Sequence, residues 1–158
     1  MLFRSIYFNV TGQATTGPNA DFSRTKYGRV YRLMLDAADP LKGTLEVILD
    51  GDDKAGPARE FQNPDNVMVT KNYVYVSEDP NGYGDETHDA RIYQYGIATK
   101  ALSIVMEMDH KRGDAKYNGP TGQSALGSWE FGGLIDVSGI VHREDTYILS
   151  VQSHTWTS

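Results

Sequence analysis

Val74-Tyr75-Val76-Ser77-Glu78-Asp79 is a short β-rich run closed by polar residues, and the chain repeats that rhythm. Ile6-Tyr7-Phe8-Asn9-Val10-Thr11 precedes it and Tyr147-Ile148-Leu149-Ser150-Val151-Gln152 follows it. The runs after the first two copies also match. Gly28-Arg29-Val30-Tyr31-Arg32-Leu33 answers Ala90-Arg91-Ile92-Tyr93-Gln94-Tyr95, and Leu45-Glu46-Val47-Ile48-Leu49-Asp50 answers Leu102-Ser103-Ile104-Val105-Met106-Glu107. Equivalents recur at roughly 60–70 residues, somewhat above the usual propeller-blade periods. One such unit cannot bury its own faces, so it needs neighbours.

Outward from these runs the same pattern continues. Alternating Val, Ile and Tyr, broken by Gly, Pro, Asn and Asp, predicts strands at about 4–10, 29–35, 44–50, 66–70, 73–78, 90–96, 101–108, 131–137 and 146–152. Helical periodicity is almost absent. The 16 Gly and 10 Tyr fit β structure with tight turns. Loops are expected at 11–27 (with Gly12, Gly17 and Pro18), 50–57, 79–89 and 109–127.

The expected fold is all-β, a single incomplete β-propeller domain over 1–158. Residues 4–50 form a half blade that lacks its innermost strand, 64–109 a full four-stranded blade, and 130–152 the first two strands of a third. A propeller closes with about four to eight blades. Two blade equivalents cannot close alone, so the expectation is a fragment of a longer protein or self-association. A β-sandwich built from the same strands is the alternative.

The chain's 158 residues carry a formal net charge of -6, which argues against a nucleic-acid partner, since such a partner would want a basic face. It contains no cysteine, hence no disulfide and no thiolate metal ligand. No apolar run approaches the ~20 residues of a membrane span. Met1-Leu2-Phe3-Arg4-Ser5 leads straight into a strand-like run and does not read as a signal peptide. G-x-S-x-G, Walker, G-x-G-x-x-G and H-E-x-x-H patterns are missing, so serine nucleophiles and nucleotide sites have no support.

Four clusters carry polar chemistry. In Asn63-Pro64-Asp65-Asn66, Pro sets a turn before an inner strand. Asp65 and Asn66 are either turn-makers or oxygen ligands at the channel mouth, of the type that suits calcium. Residues 78–89 hold five carboxylates, Asn81 and His88 without matching the EF-hand loop. Glu78 and Asp79 end a mostly apolar strand, and a shielded carboxylate wants a cation or a proton. Trp129-Glu130-Phe131-Gly132-Gly133 puts Glu130 where Asp65 stands in the previous unit, while Asp136 can simply end its strand. His154, in Gln152-Ser153-His154-Thr155-Trp156, lies past a strand equivalent to the one ending in Glu78-Asp79 and is a candidate substrate-binding residue. Arg29 and Arg91 hold equivalent positions and read as repeat-structural. Asp50-Gly51-Asp52-Asp53 reads as a turn and Asp109-His110-Lys111-Arg112 as a solvated charge run.

Phe61-Gln62-Asn63-Pro64-Asp65-Asn66, Tyr75-Val76-Ser77-Glu78-Asp79-Pro80, Trp129-Glu130-Phe131-Gly132-Gly133-Leu134-Ile135-Asp136 and Val151-Gln152-Ser153-His154-Thr155-Trp156, in that order, resemble the PhoX-type alkaline phosphatases and related bacterial β-propeller proteins. The resemblance covers most of the chain beyond about residue 28. It implies a calcium- and iron-containing site at one mouth of the channel, a small phosphorylated substrate, hydrolysis of phosphate monoesters, and a periplasmic or extracellular setting. It makes Asp65, Asn66, Glu78, Asp79 and Glu130 the candidate metal residues. The family's cysteine ligand to iron has no counterpart here. Two other functions remain open: a non-catalytic module binding calcium or a partner, and a lactonase-like propeller hydrolase.

Overall fold

The structure is a computed structural model that describes residues 4–13, 25–80, 86–110, 114 and 126–155. Among the described residues the alternating runs form nine strands: β1 Ser5–Val10, β2 Arg29–Leu35, β3 Gly43–Asp50, β4 Pro64–Val69, β5 Tyr73–Glu78, β6 Arg91–Gly96, β7 Leu102–Glu107, β8 Trp129–Asp136 and β9 Tyr147–Ser153. One helical turn, α1 Ser138–Val141, joins the last two. All pairings are antiparallel, within sheets ordered β1-β2-β3, β4-β5-β6-β7 and β8-β9. The sheets hold three, four and two strands among the described residues. Among the described residues these sheets do not close into a barrel or a propeller. Among the described residues no helix is long and apolar enough to cross a membrane.

The repeat survives as geometry. Arg29 is opposite Asp50 and Arg91 is opposite Glu107 in the two registers. Each arginine Nε donates to its carboxylate, at 2.9 Å and 2.8 Å respectively. Both registers then slip by one residue at the same step, Val30/Tyr31 and Ile92/Tyr93. These partly exposed pairs add little stability each, so their value is in setting the register of two equivalent strand pairs.

The middle sheet is covered on both faces. Val74 and Val76 of β5, with Tyr93 and Tyr95 of β6, pack against Val30 and Leu49 of the first sheet and against Phe61. Tyr75 and Ile92 turn the other way, to Phe131, Leu134, Tyr147 and Leu149 of the third sheet. Side chains of a strand alternate between faces, so β5 serves two cores at once. Full burial of side chains of this size stabilises by about 1.5–3 kcal/mol each.

Antiparallel pairing collects the ends of β1, β3, β5, β7 and β9 and the starts of the others at the same end of their sheets. At the junction of the first two sheets Asn63 N donates to Tyr27 O at 3.2 Å. Gly28 has φ +87°, and a Cβ there would stand 2.3 Å from Pro64 Cδ. Only glycine tolerates both the left-handed backbone and that approach.

Candidate functional site

The site grows from that end of the strands. Asp65 sits at a β-bulge, since Pro64 pairs with Glu78 and Asn66 with Ser77, leaving Asp65 as the extra residue. Bulges re-aim side chains and collect beside functional sites. A second slip lies between Phe131 and Leu134, just after Glu130. Asp79 follows β5 directly, and its amide donates to Asn63 O at 3.0 Å.

Asp79 and Glu130 come together across the middle and third sheets. Asp79 is pushed up to about 7 by burial, by hydrogen bonding with Glu130, and by the charges of Glu130 and Asp65, while His154 pulls it down. Two carboxyl groups held together cannot both ionise cheaply, and Asp79 is the one whose carboxyl is pushed up. Glu130 is largely buried, and its Oε1 lies 2.7 Å from Nε2 of His154, whose side chain is 56% exposed. Asp65, Asp79, Glu130 and His154 therefore form one electrostatic unit. Three segments far apart in sequence supply it.

The other sequence candidates sit differently. Asn66 Nδ2 donates to Asp65 Oδ2 at 2.7 Å, so its amide serves the neighbouring carboxylate. Glu78 is fully buried. Gln62 N donates to its Oε1 at 2.8 Å, Arg91 N donates to its Oε2 at 3.0 Å, and His88 Nε2 lies 3.2 Å from the same Oε2. Glu78 and Asp79 thus diverge: the first shares the core face of Val74 and Val76, the second reaches Glu130. Asp136 accepts from Ser138 N at 2.9 Å. Its carboxyl is held low by the Ser138 hydroxyl and that amide, at the opposite end of β8 from Glu130. Asp50 accepts from Asp52 N and Asp53 from Ala55 N within the 50–53 loop, while the Asp52 carboxylate reaches across to accept from Lys26 N and Tyr27 N. Asn81, Gly82, Tyr83, Gly84, Asp85, Gly17, Pro18, Lys111, Arg112 and Trp156 lie outside the described residues.

Two features escaped the sequence reading. His110 is not part of a solvated run. It is buried and stacks on Trp129, with ring centroids 4.4 Å apart and planes 17° from parallel. Trp129 Nε1 donates to Thr155 Oγ1 at 2.8 Å, and that oxygen lies 3.3 Å from His110 Nε2. The stack braces the strand start that carries Glu130. His88, counted among an acidic loop, is the buried partner of Glu78.

Among the described residues no group of three or more His, Cys, Asp or Glu side chains is arranged to hold a metal ion. The donor chemistry nevertheless fits a hard cation in part. Asp79 and Glu130 are oxygen donors held against each other, and Asp65 adds a further carboxylate nearby. Calcium takes six to eight oxygens, so these residues would fill only part of its shell. A comparison with protein-family models, curated proteins and solved structures finds no match to this chain.

Proposed function

We propose that this chain supplies one wall of a calcium-type cation centre in a PhoX-like propeller that hydrolyses phosphate monoesters outside the cytoplasm. The observation that carries this reading is the Asp79–Glu130 carboxyl pair, with His154 2.7 Å from Glu130. A cation held there would bind phosphate oxygens and offset the charge that develops on them. With Asp65, Asp79 and Glu130 gathered there, such a cation would offset the negative field that an anionic substrate meets. Asp79 and Glu130 would be its main ligands, and Asp65 would deepen the negative potential that attracts it. Glu130 fixes the His154 imidazole through Nε2, and the exposure of that ring lets it exchange a proton with a bound ester or with water.

Calorimetric titration of calcium, together with turnover of a generic aryl phosphate, tests the reading. Calcium binding and calcium-dependent turnover, both lost in Asp79→Asn and Glu130→Gln, are the expected result. Calcium binding without turnover would select a second reading, a non-catalytic cation module. No calcium binding at all would sink both.

A further inference from the structure

We infer that the open edge of β9 and the groove beneath it take an antiparallel strand from a partner polypeptide, one with aromatic side chains at alternate positions. This docking surface is independent of any bound cation.

The strand repeat shows what such an edge meets. β5 is paired on both edges, by β4 and by β6. β9 is its equivalent in the third sheet. Val67 is opposite Val76 as Leu134 is opposite Leu149. Val74 and Val76 pack toward the first sheet, and Tyr147 and Leu149 pack in the same way toward the middle one. Among the described residues, however, β9 pairs with β8 alone. An edge of this kind presents backbone donors and acceptors ready to pair with another strand.

The surface beneath that edge is apolar. Leu49 is opposite Val30, one step from the Arg29–Asp50 pair, and Met106 is opposite Ile92, one step from the Arg91–Glu107 pair. Leu49 is 1% exposed and Met106 is 46% exposed. The difference is β6. Its Tyr93 and Tyr95, opposite Val76 and Val74, join Leu49 in one buried cluster. No described strand beside β9 does the same for Met106. A groove of about 730 Å³ is left, lined by Ile92, Val105 and Met106 of the middle sheet and by Leu134, Tyr147 and Leu149 of the third. A strand added to β9 in the manner of β6 would set its residues opposite Leu149 and Tyr147 over Met106. Main-chain bonds to the edge then give affinity, and the pocket for alternate side chains gives specificity. A second copy of the chain does not offer its own strand of that pattern, because β6 is already paired on both edges.

The probe is a synthetic peptide copying residues 89–97, which contain β6, added to the full chain and followed by amide exchange and methionine-methyl NMR. The expected result is slower exchange of β9 amides and a shifted Met106 methyl signal. The same peptide with Tyr93→Ser and Tyr95→Ser should bind at least about tenfold more weakly, since each buried aromatic side chain contributes that much. Met106→Glu, at an exposed position of the groove, should weaken the unaltered peptide by roughly tenfold while the protein stays folded by circular dichroism. No perturbation at millimolar peptide, or one confined to the first sheet, overturns the inference. Equal binding of the two peptides, or undiminished binding to folded Met106→Glu, overturns it too, because the groove would then take no part. Protection of β9 before any peptide is added also overturns it. Protection that grows with protein concentration would assign the edge to a second copy, and protection independent of concentration to another segment of the same chain. If Met106→Glu does not fold, the two peptides on the parent decide.

Discussion

Glu130 Oε1 and His154 Nε2 lie 2.7 Å apart, one at the start of β8 and the other just past the end of its partner β9. Trp129 and Ser153 are paired in the same register, so the two-stranded third sheet by itself builds the contact. The pair is lopsided, with Glu130 largely buried and His154 more than half exposed. Glu130 is the member whose loss is felt. Glu130→Gln should weaken calcium binding by about 10-fold or more, whereas His154→Gln, whose ring is mostly in water, should weaken it less and lower turnover instead. Paired calorimetric and kinetic measurements check the split, and an equal effect on binding from both variants would contradict it.

The Asp79 carboxyl, raised to about 7, makes a pH prediction. Unfolded, this group titrates near 4. Between those values the folded state holds a proton that the unfolded state has lost, so stability falls as pH rises through that window and levels off above it. In the presence of chelator, urea midpoints should therefore be higher at pH 5 than at pH 8, and Asp79→Asn should shrink the difference. Calcium should raise the pH 8 midpoint more than the pH 5 one, because it competes with the proton on Asp79. The same pH dependence in parent and Asp79→Asn would rule the carboxyl out as its source.

Much of this was legible before the structure. The nine strands, the three-sheet division and the Arg29/Arg91 equivalence all follow from local alternation, which depends only on neighbouring residues. The membership of the site was legible only in part. Glu78 and Asp79 look alike as adjacent carboxylates, yet a period of two sets Glu78 on the face of buried Val74 and Val76. That signal was in the sequence and points to an internal role. The His110–Trp129 stack has no local signal, because the 111–128 segment separates the partners and only tertiary packing brings the rings together.

Gly28 links fold and site. Its φ of +87° and the nearness of Pro64 mean that Gly28→Ala strains the backbone and collides with the turn that carries Asp65. Alanine at a positive-φ position that lacks room destabilises by more than about 1 kcal/mol. Thermal unfolding should show that loss. Calcium affinity should fall as well, since the collision displaces Pro64 and with it the bulge. A stable Gly28→Ala protein with parent affinity would show that the first sheet plays no part in aiming Asp65.

The outer face of the first sheet makes the last prediction. Ile6, Phe8, Leu45 and Val47 are all exposed. Ile6 is paired through Leu33 to Leu45, and Phe8 through Tyr31 to Val47. Phe8 and Tyr31 stack there with ring centroids 5.2 Å apart. These residues form a continuous apolar surface on a sheet whose other face is already packed. At the far end of the stack Ile135 and Ile148, paired in register, are exposed on the third sheet. Sheets packed face to face bury such surfaces, and apolar patches of this kind mark contacts. The chain on its own should therefore associate as concentration rises, through these faces and the open edge of β1. Phe8→Lys, which sets a charge in the middle of that face, should shift sedimentation toward the monomer without lowering the melting temperature, because Phe8 contributes little to the core. A parent that stays monomeric at high concentration would mean that the exposed sheet face is tolerated by water and has no partner to meet.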